Sequence, residues 1–183
     1  MRIIYVTSRL PFGPGEAFII PEVSYLKKMG HQVIAIPLLG QGKIIHDDVK
    51  PLLNQFIIKR NCSPNLLWAA IKVGFKDIHK MIKFLYLIMS LRNPIRLLKN
   101  LLVFPKALWL ADLAKRWEAD HIHAHWATSP ATIAMVASNF SNIPWSFTAH
   151  RGDIVENDHL EEKICSASFV RTISQTSFLL FKN

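Results

Sequence analysis

Two apolar runs, Ile3-Ile4-Tyr5-Val6-Thr7 and Gln32-Val33-Ile34-Ala35-Ile36, flank a stretch of helical periodicity, and that order decides the fold class. Both runs are short and rich in β-branched or aromatic side chains, the pattern of buried strands. Between them Ile19, Val23 and Leu26 recur at i, i+4 and i+7, the apolar stripe of a helix. Pro11-Phe12-Gly13-Pro14-Gly15 forces a loop before it. Pro21 fits only in or near the first turn, because it lacks an N–H and its ring crowds the preceding turn. Lys27 and Lys28 suit the carboxyl end of the helix, and Gly30 supplies its stop. Two such strands joined through a helix make a βαβ unit with a right-handed crossover.

The last third of the chain returns to the same alternation. Strands are expected at His121–Ala124, Trp145–Ala149 and Phe169–Ile173, and helices at Ala127–Phe140 and Leu160–Ala167. Thr128 or Ser129 is the expected N-cap of the first of these helices, with Pro130 in its first turn. Ser174 is placed to cap a further helix opening at Gln175. The expected architecture is α/β: a doubly wound, mostly parallel, Rossmann-like sheet. Ligands of such sheets lie beyond the carboxyl ends of the strands, so the loops at 8–16, 125–129, 150–158 and 174–176 should share one rim.

The middle of the chain interrupts this pattern. Residues 39–63 are mixed, with a possible short strand at Phe56-Ile57-Ile58. From 65 to 118 the chain reads as helical: Trp68, Ile71, Phe75, Ile78, Ile82, Leu85 and Met89 recur at spacings of three or four. Asn93-Pro94 and Phe104-Pro105 are expected to divide this block into three helices. Residues 59–116 hold twelve Lys or Arg against two acids, Asp77 and Asp112, so this helical insertion carries +10. The whole chain, with 22 basic and 13 acidic residues, carries +9, and the basic character is therefore localised. Such a surplus points to an anionic partner: phosphate, acidic lipid or nucleic acid. Lys72, Lys76, Lys80, Lys83 and Lys99 beside Trp68, Phe75, Phe84 and Tyr86 suggest an amphipathic surface turned toward anionic lipid. Ordinary packing would instead bury the apolar stripe as core and leave the lysines solvated.

At 183 residues without an internal repeat, the chain suits one domain, or one domain and the opening of another. Half its residues are hydrophobic, which argues against disorder. Cys62 and Cys165 match no zinc or disulfide framework and are expected as reduced, mostly buried thiols. The start, Met1-Arg2 followed directly by Ile3 to Val6 and then Arg9 and Pro11, carries no signal-peptide pattern. The longest uncharged apolar stretch runs from Phe84 to Leu91 and is far short of the roughly 20 residues that span a bilayer. Neither an RNA-recognition aromatic motif nor a zinc-finger spacing occurs, so nucleic acid is not an expected partner.

Three places could carry chemistry. Gly13 and Gly15 follow the first strand and precede a helix, where glycine lets backbone approach a ligand and a helix N-terminus favours phosphate. The dinucleotide fingerprint is incomplete, because Phe18 occupies the third glycine position and Pro37-Leu38 follows the second strand where an acid would hold ribose. No P-loop motif occurs. His121, His123 and His125 alternate and should point to one face of a strand. Three imidazoles could bind zinc, but no Cys or carboxylate lies close enough in sequence to complete a site. The plainer expectation packs His123 in the sheet and brings His125 out at the rim. Finally, His150-Arg151-Gly152-Asp153 follows a strand directly, and a His and an Asp there suit binding or proton transfer. Asp153 could equally cap the turn that follows.

In order along the chain, Glu16-Ala-Phe18-Ile19-Ile-Pro-Glu22, Gly30-His31-Gln-Val33, His123-Ala-His125-Trp-Ala, Ser146-Phe-Thr-Ala-His150-Arg-Gly-Asp153 and Thr172-Ile-Ser174 resemble the N-terminal domain of a GT-B glycosyltransferase of family 4. Within that family the chain is most similar to the branch that builds exopolysaccharide and colanic-acid-like polymers in bacteria. The resemblance implies retaining transfer of a sugar from a nucleotide diphosphate sugar to a glycan or lipid-linked acceptor, without an obligatory metal. It implies His150 as the catalytic residue near the transferred sugar and donor phosphate. Gly13, Gly15 and Ser174 would lie toward the donor phosphate and sugar, and Glu16, His125 and Asp153 on the acceptor side. It further implies an acceptor-side domain over residues 1–174 and the start of an interdomain helix at 175–183. The donor-binding half would be absent here, leaving this chain inactive alone. Such a protein is expected in the cytoplasm, peripheral at the inner face of the cytoplasmic membrane. The rival expectation is a non-catalytic fragment or binding module that works with a separate donor-domain chain.

Overall fold

Strand and helix alternate because each apolar run buries both faces of a strand and each helix covers one of them. The computed structural model describes residues 1–59, 63–156 and 159–180. Its elements are β1 (Arg2–Thr7), α1 (Ile19–Lys28), β2 (Gln32–Pro37), a 3-10 stretch (Asp47–Gln55), α2 (Pro64–Lys76), α3 (Ile78–Met89), α4 (Pro94–Arg116), β3 (His121–His125), α5 (Ser129–Ser141), β4 (Trp145–Ala149), α6 (Arg151–Glu156), α7 (Leu160–Ser166), β5 (Phe169–Thr172) and α8 (Gln175–Leu180). The five strands form one sheet in the order β2-β1-β3-β4-β5, and every pair is parallel. This is the doubly wound α/β architecture, and its strand order reverses between β1 and β3.

Alternation along the strands sorts the core into two layers. Ile4 and Val6 of β1, Ile122 and Ala124 of β3 and Phe147 of β4 join the core built with α4 and α5. Ile3 and Tyr5 of β1, with Val33 and Ala35 of β2, pack instead with Ile19, Ile20 and Val23 of α1 and with the 3-10 stretch. Pro21 sits in the first turn of α1, and Gly30 closes that helix with a φ of +83°.

The insertion departs from its expected form in three ways. Phe56 makes only an isolated parallel bridge to Ala35, so no strand forms there. Pro105 does not divide the helical block, since α4 runs unbroken from Pro94 to Arg116; the breaks fall at Asp77 and before Asn93, whose side chains cap α3 and α4. Residues 106–111 are all buried, and α4 packs along α5 and α2, which outweighs the missing hydrogen bond. The third difference is the largest. The stripe of Trp68, Ile71, Phe75, Ile82 and Met89 faces outward, while α2 buries Leu66, Ala70 and Gly74. A Cβ at Gly74 would come within 2.8 Å of Met81 Sδ, so the small-residue face, which permits close helix approach, wins over the bulky one.

Smaller corrections concern α5 and the cysteines. The helix starts at Ser129 rather than Ala127, and the Thr128 side chain makes no capping hydrogen bond. Cys165 is exposed and unpaired, not buried, and Cys62 lies outside the described residues. One long side chain ties the insertion to the sheet. Lys106, wholly buried in α4, donates to the carbonyl oxygens of Pro37 (2.6 Å) and Leu38 (3.0 Å) at the end of β2 and of Lys59 (3.1 Å) beyond the 3-10 stretch. Burial lowers its pKa to about 8. Among the described residues no helix is long and apolar enough to cross a membrane.

Candidate functional site

The reversal of strand order opens a crevice beyond the carboxyl ends of β1 and β3. Glu16 closes the loop that leaves β1. Its buried carboxylate accepts from the backbone N–H groups of Ser8 (2.9 Å), Arg9 (2.5 Å) and Leu10 (2.6 Å), and from Trp126 Nε1 (2.6 Å). Four donors thus hang on one carboxylate, and the loop after β1 is fastened to the residue after β3. Trp126 has a φ of +91°, a strained backbone for a bulky residue. The Glu16 bond and a backbone bond from its N–H to Thr148 O hold it there.

Strain at Trp126 places its ring against two imidazoles. The Nε2 atoms of His125 and His150, at the ends of adjacent strands, are 2.9 Å apart. Trp126 stacks on His150 with 4.1 Å between centroids and 25° between planes. Phe18, half-exposed ahead of α1, closes the group at 5.1 Å from His125 and 5.7 Å from His150. Burial, and then the neighbouring His150, push the His125 pKa down to about 4. Burial also lowers that of His150, against the opposing charge of Asp153. Both rings are therefore neutral at pH 7, and one Nε2–H donates to the other Nε2.

The orphaned atom of His125 decides the direction. Its Nδ1 is buried without a hydrogen-bond partner. A buried N–H without a partner is rarer than an under-satisfied acceptor. Nδ1 is accordingly the unprotonated atom, and Nε2 of His125 donates to His150. His150 then carries its own proton on Nδ1, which has no hydrogen-bond partner among the described residues.

A polar ladder continues from this pair along the α1 side of the sheet. Ser146 Oγ lies 2.7 Å from His121 Nε2 and 2.8 Å from His123 Nδ1, and Thr148 Oγ1 lies 3.0 Å from His123 Nε2. Arg171 Nε donates to Thr148 Oγ1 (3.0 Å), and its two terminal nitrogens grip Glu22 at 2.7 and 2.8 Å. Protons running from Arg171 through Thr148, His123 and Ser146 to His121 satisfy the chain with both histidines neutral. Burial pushes the His123 pKa down to about 3. Burial opposes ionisation of Glu22, yet the Arg171 guanidinium keeps its carboxyl below the usual range. The three imidazoles of β3 do share one face, but among the described residues no group of three His, Cys, Asp or Glu is placed to hold a metal ion.

The remaining candidates divide. Asp153 is buried, and its Oδ2 accepts from His150 N–H and Ala127 N–H, both at 3.1 Å. It braces the loops after β3 and β4 and so positions His150. Gly13 adopts a φ of +76° that glycine favours, and its N–H donates to Lys43 O (3.1 Å). Gly15 faces open space and needs no glycine for shape. The first N–H groups of α1, from Ile19 and Ile20, donate to Glu16 and Ala17 carbonyls, so the glycine turn does not open directly into the helix. Ser174 Oγ accepts from Ser177 N–H (3.1 Å), capping α8 as expected, and makes no contact with the imidazole group.

Five residues without an assigned role complete the site: Phe18, Trp126, Lys163, Arg9 and Arg96. Lys163, wholly buried in α7, donates to Ala127 O (2.8 Å) and Thr128 O (3.2 Å). The charged sequence of α7, Leu-Glu-Glu-Lys-Ile-Cys-Ser, carries no local signal of a buried lysine, whereas Trp126 is marked by its place directly after a strand. Beside the imidazoles lies a cleft of about 460 Å³ lined by Arg9, Arg96, Lys99, Trp126, Thr128 and Asp153. Arg96 is held by Glu156, which also lines the cleft, so Arg9 and Lys99, with a helix N-terminus at the wall, are the groups that suit a phosphate-bearing ligand. No protein-family model matches the chain, and no curated protein matches it either.

Proposed function

We propose that the chain is the acceptor-side domain of a retaining, nucleotide-sugar-dependent glycosyltransferase of bacterial surface-polysaccharide synthesis, working in the cytoplasm. The observation that carries this reading is the neutral His125–His150 pair walled by Trp126 and Phe18 beside a cleft that Arg9 and Lys99 line. Flat rings suit the apolar face of a sugar, and a neutral imidazole with an unengaged Nδ1–H suits a sugar or phosphate oxygen. In the transfer, the acceptor oxygen bonds to the anomeric carbon as the bond to the nucleoside diphosphate breaks. The departing diphosphate oxygen takes the electron pair of the broken bond and receives the proton that the acceptor hydroxyl loses. His150 holds an oxygen at the reacting centre, while Glu16 and Asp153 keep the two loops in register. A donor-binding half supplies the groups that grip the nucleotide.

Two results are expected from the purified chain. It releases no nucleoside diphosphate from UDP- or GDP-linked sugars. In saturation-transfer NMR against a panel of free oligosaccharides it nonetheless binds at least one, and His150→Ala weakens that binding by about tenfold, the worth of one hydrogen bond. Nucleotide release by the chain alone, or binding indifferent to His150→Ala, would contradict the proposal.

A further inference from the structure

We propose that the outer face of the α2–α4 insertion docks on the surface of a bilayer rich in anionic lipid. The face is apolar where a solvated helix should be polar. Trp68 is 71% exposed, Phe75 74%, Tyr86 78% and Met89 67%, with Ile82, Ile95 and Leu98 each above half. These side chains sit on three helices that pack on one another, opposite the positions that meet the core: Leu66, Ala70 and Gly74 on α2, Phe84 and Ile88 on α3. Soluble monomers rarely leave so many large apolar groups together in water.

Charge identifies the occupant. Between Pro64 and Leu102 the only acid is Asp77, against seven Lys or Arg. Lys80 is engaged within the protein, donating to Asn139 O (2.8 Å) and pairing with Asp77 (3.4 Å), and Arg96 reaches Glu156. Phe84 is buried and leaves the surface. Lys72, Lys76, Lys83 and Arg92 remain exposed on or beside the same helices, while Lys99 belongs to the cleft beside Trp126. Lysines on long stems beside an apolar face, with Trp and Tyr among them, match a helix lying in the headgroup region. A protein partner with so apolar a face would need acids to meet four cations, whereas phosphatidylglycerol supplies both the acyl surface and the charge. Cytoplasmic leaflets carry such lipids. The inference does not depend on the sugar chemistry at the rim.

Vesicle co-sedimentation tests it with the full chain. The expected result is at least tenfold tighter binding to phosphatidylcholine vesicles containing 30% phosphatidylglycerol, an order-of-magnitude choice of composition, than to pure phosphatidylcholine, with a steep fall as salt rises. Lys72→Glu/Lys76→Glu/Lys83→Glu and, separately, Trp68→Ser/Phe75→Ser should each weaken binding about tenfold or more, with circular dichroism unchanged because these side chains are exposed. Equal binding to neutral and anionic vesicles, or variants that bind like the parent, would overturn the proposal. A dimer in sedimentation velocity that Trp68→Ser/Phe75→Ser dissolves would overturn it in favour of a second copy.

Discussion

Glu16→Ala is expected to destabilise the domain by roughly 4–6 kcal/mol, because it strands four donors at about 1–3 kcal/mol each and water can recover part of that. Three are backbone N–H groups of Ser8, Arg9 and Leu10, and the fourth is the Trp126 indole. Leu10 is buried, so its N–H has least access to water. The consequence extends past stability. Trp126 keeps a positive φ under the pull of Glu16, and without it the ring has no reason to stay stacked on His150. Glu16→Gln separates charge from shape: it keeps one acceptor oxygen and should lose about half as much. Urea unfolding followed by tryptophan fluorescence measures both variants. A loss below about 1 kcal/mol for Glu16→Ala would mean that the loop after β1 is held by something else.

Acid is expected to have an effect of similar size. His123 and His125 are buried and neutral, with pKa values near 3 and 4 against an ordinary value of 6.5. The folded state therefore binds fewer protons than the unfolded chain between about pH 6.5 and those values. Stability is full above pH 6.5 and falls as the pH drops toward 4, by on the order of 5 kcal/mol for the two groups together at pH 4.5. Glu22 acts in a separate, lower window: its depressed carboxyl pKa gives stability that is lost only below about 4.5. Urea midpoints between pH 7.5 and 4.5 read the histidine window. His123→Asn should flatten the slope by about half, and a flat profile in the parent would contradict the assignment of neutral buried imidazoles.

Fold class was legible because burial on both strand faces leaves little choice of pattern: β1, β2, β4 and the stop at Gly30 follow directly from residue type. The alternation of His121, His123 and His125 also placed all three on one face. What the chain concealed depended on tertiary competition. Helical periodicity finds an apolar stripe but cannot say which face a neighbour will take. On α2 the bulky stripe lost to Leu66, Ala70 and Gly74, because close approach to α4 rewards small side chains. Pro105 reads as a break because its missing N–H is a local property, whereas the burial that overrides it is not. At the rim, Glu16 and Asp153 stand out as candidate site residues, but the partners that make them cross-links, Trp126 and Ala127, lie 110 and 26 positions away and meet them only when β1, β3 and β4 are side by side. Both carboxylates proved to be braces. In the proposed function, the groups that meet the ligand are His150, Trp126 and Phe18, with His125 buried behind them.

The most direct measurement is long-range ¹H–¹⁵N NMR of the histidine side chains at pH 7, recorded with and without an oligosaccharide that the chain binds. Neutral rings are predicted, with the proton on Nε2 of His125 and on Nδ1 of His150, and sugar should move the His150 nitrogens most. Doubly protonated rings, or a sugar that binds while both His125 and His150 stay unmoved, would contradict the central claim that a sugar is handled at this imidazole pair.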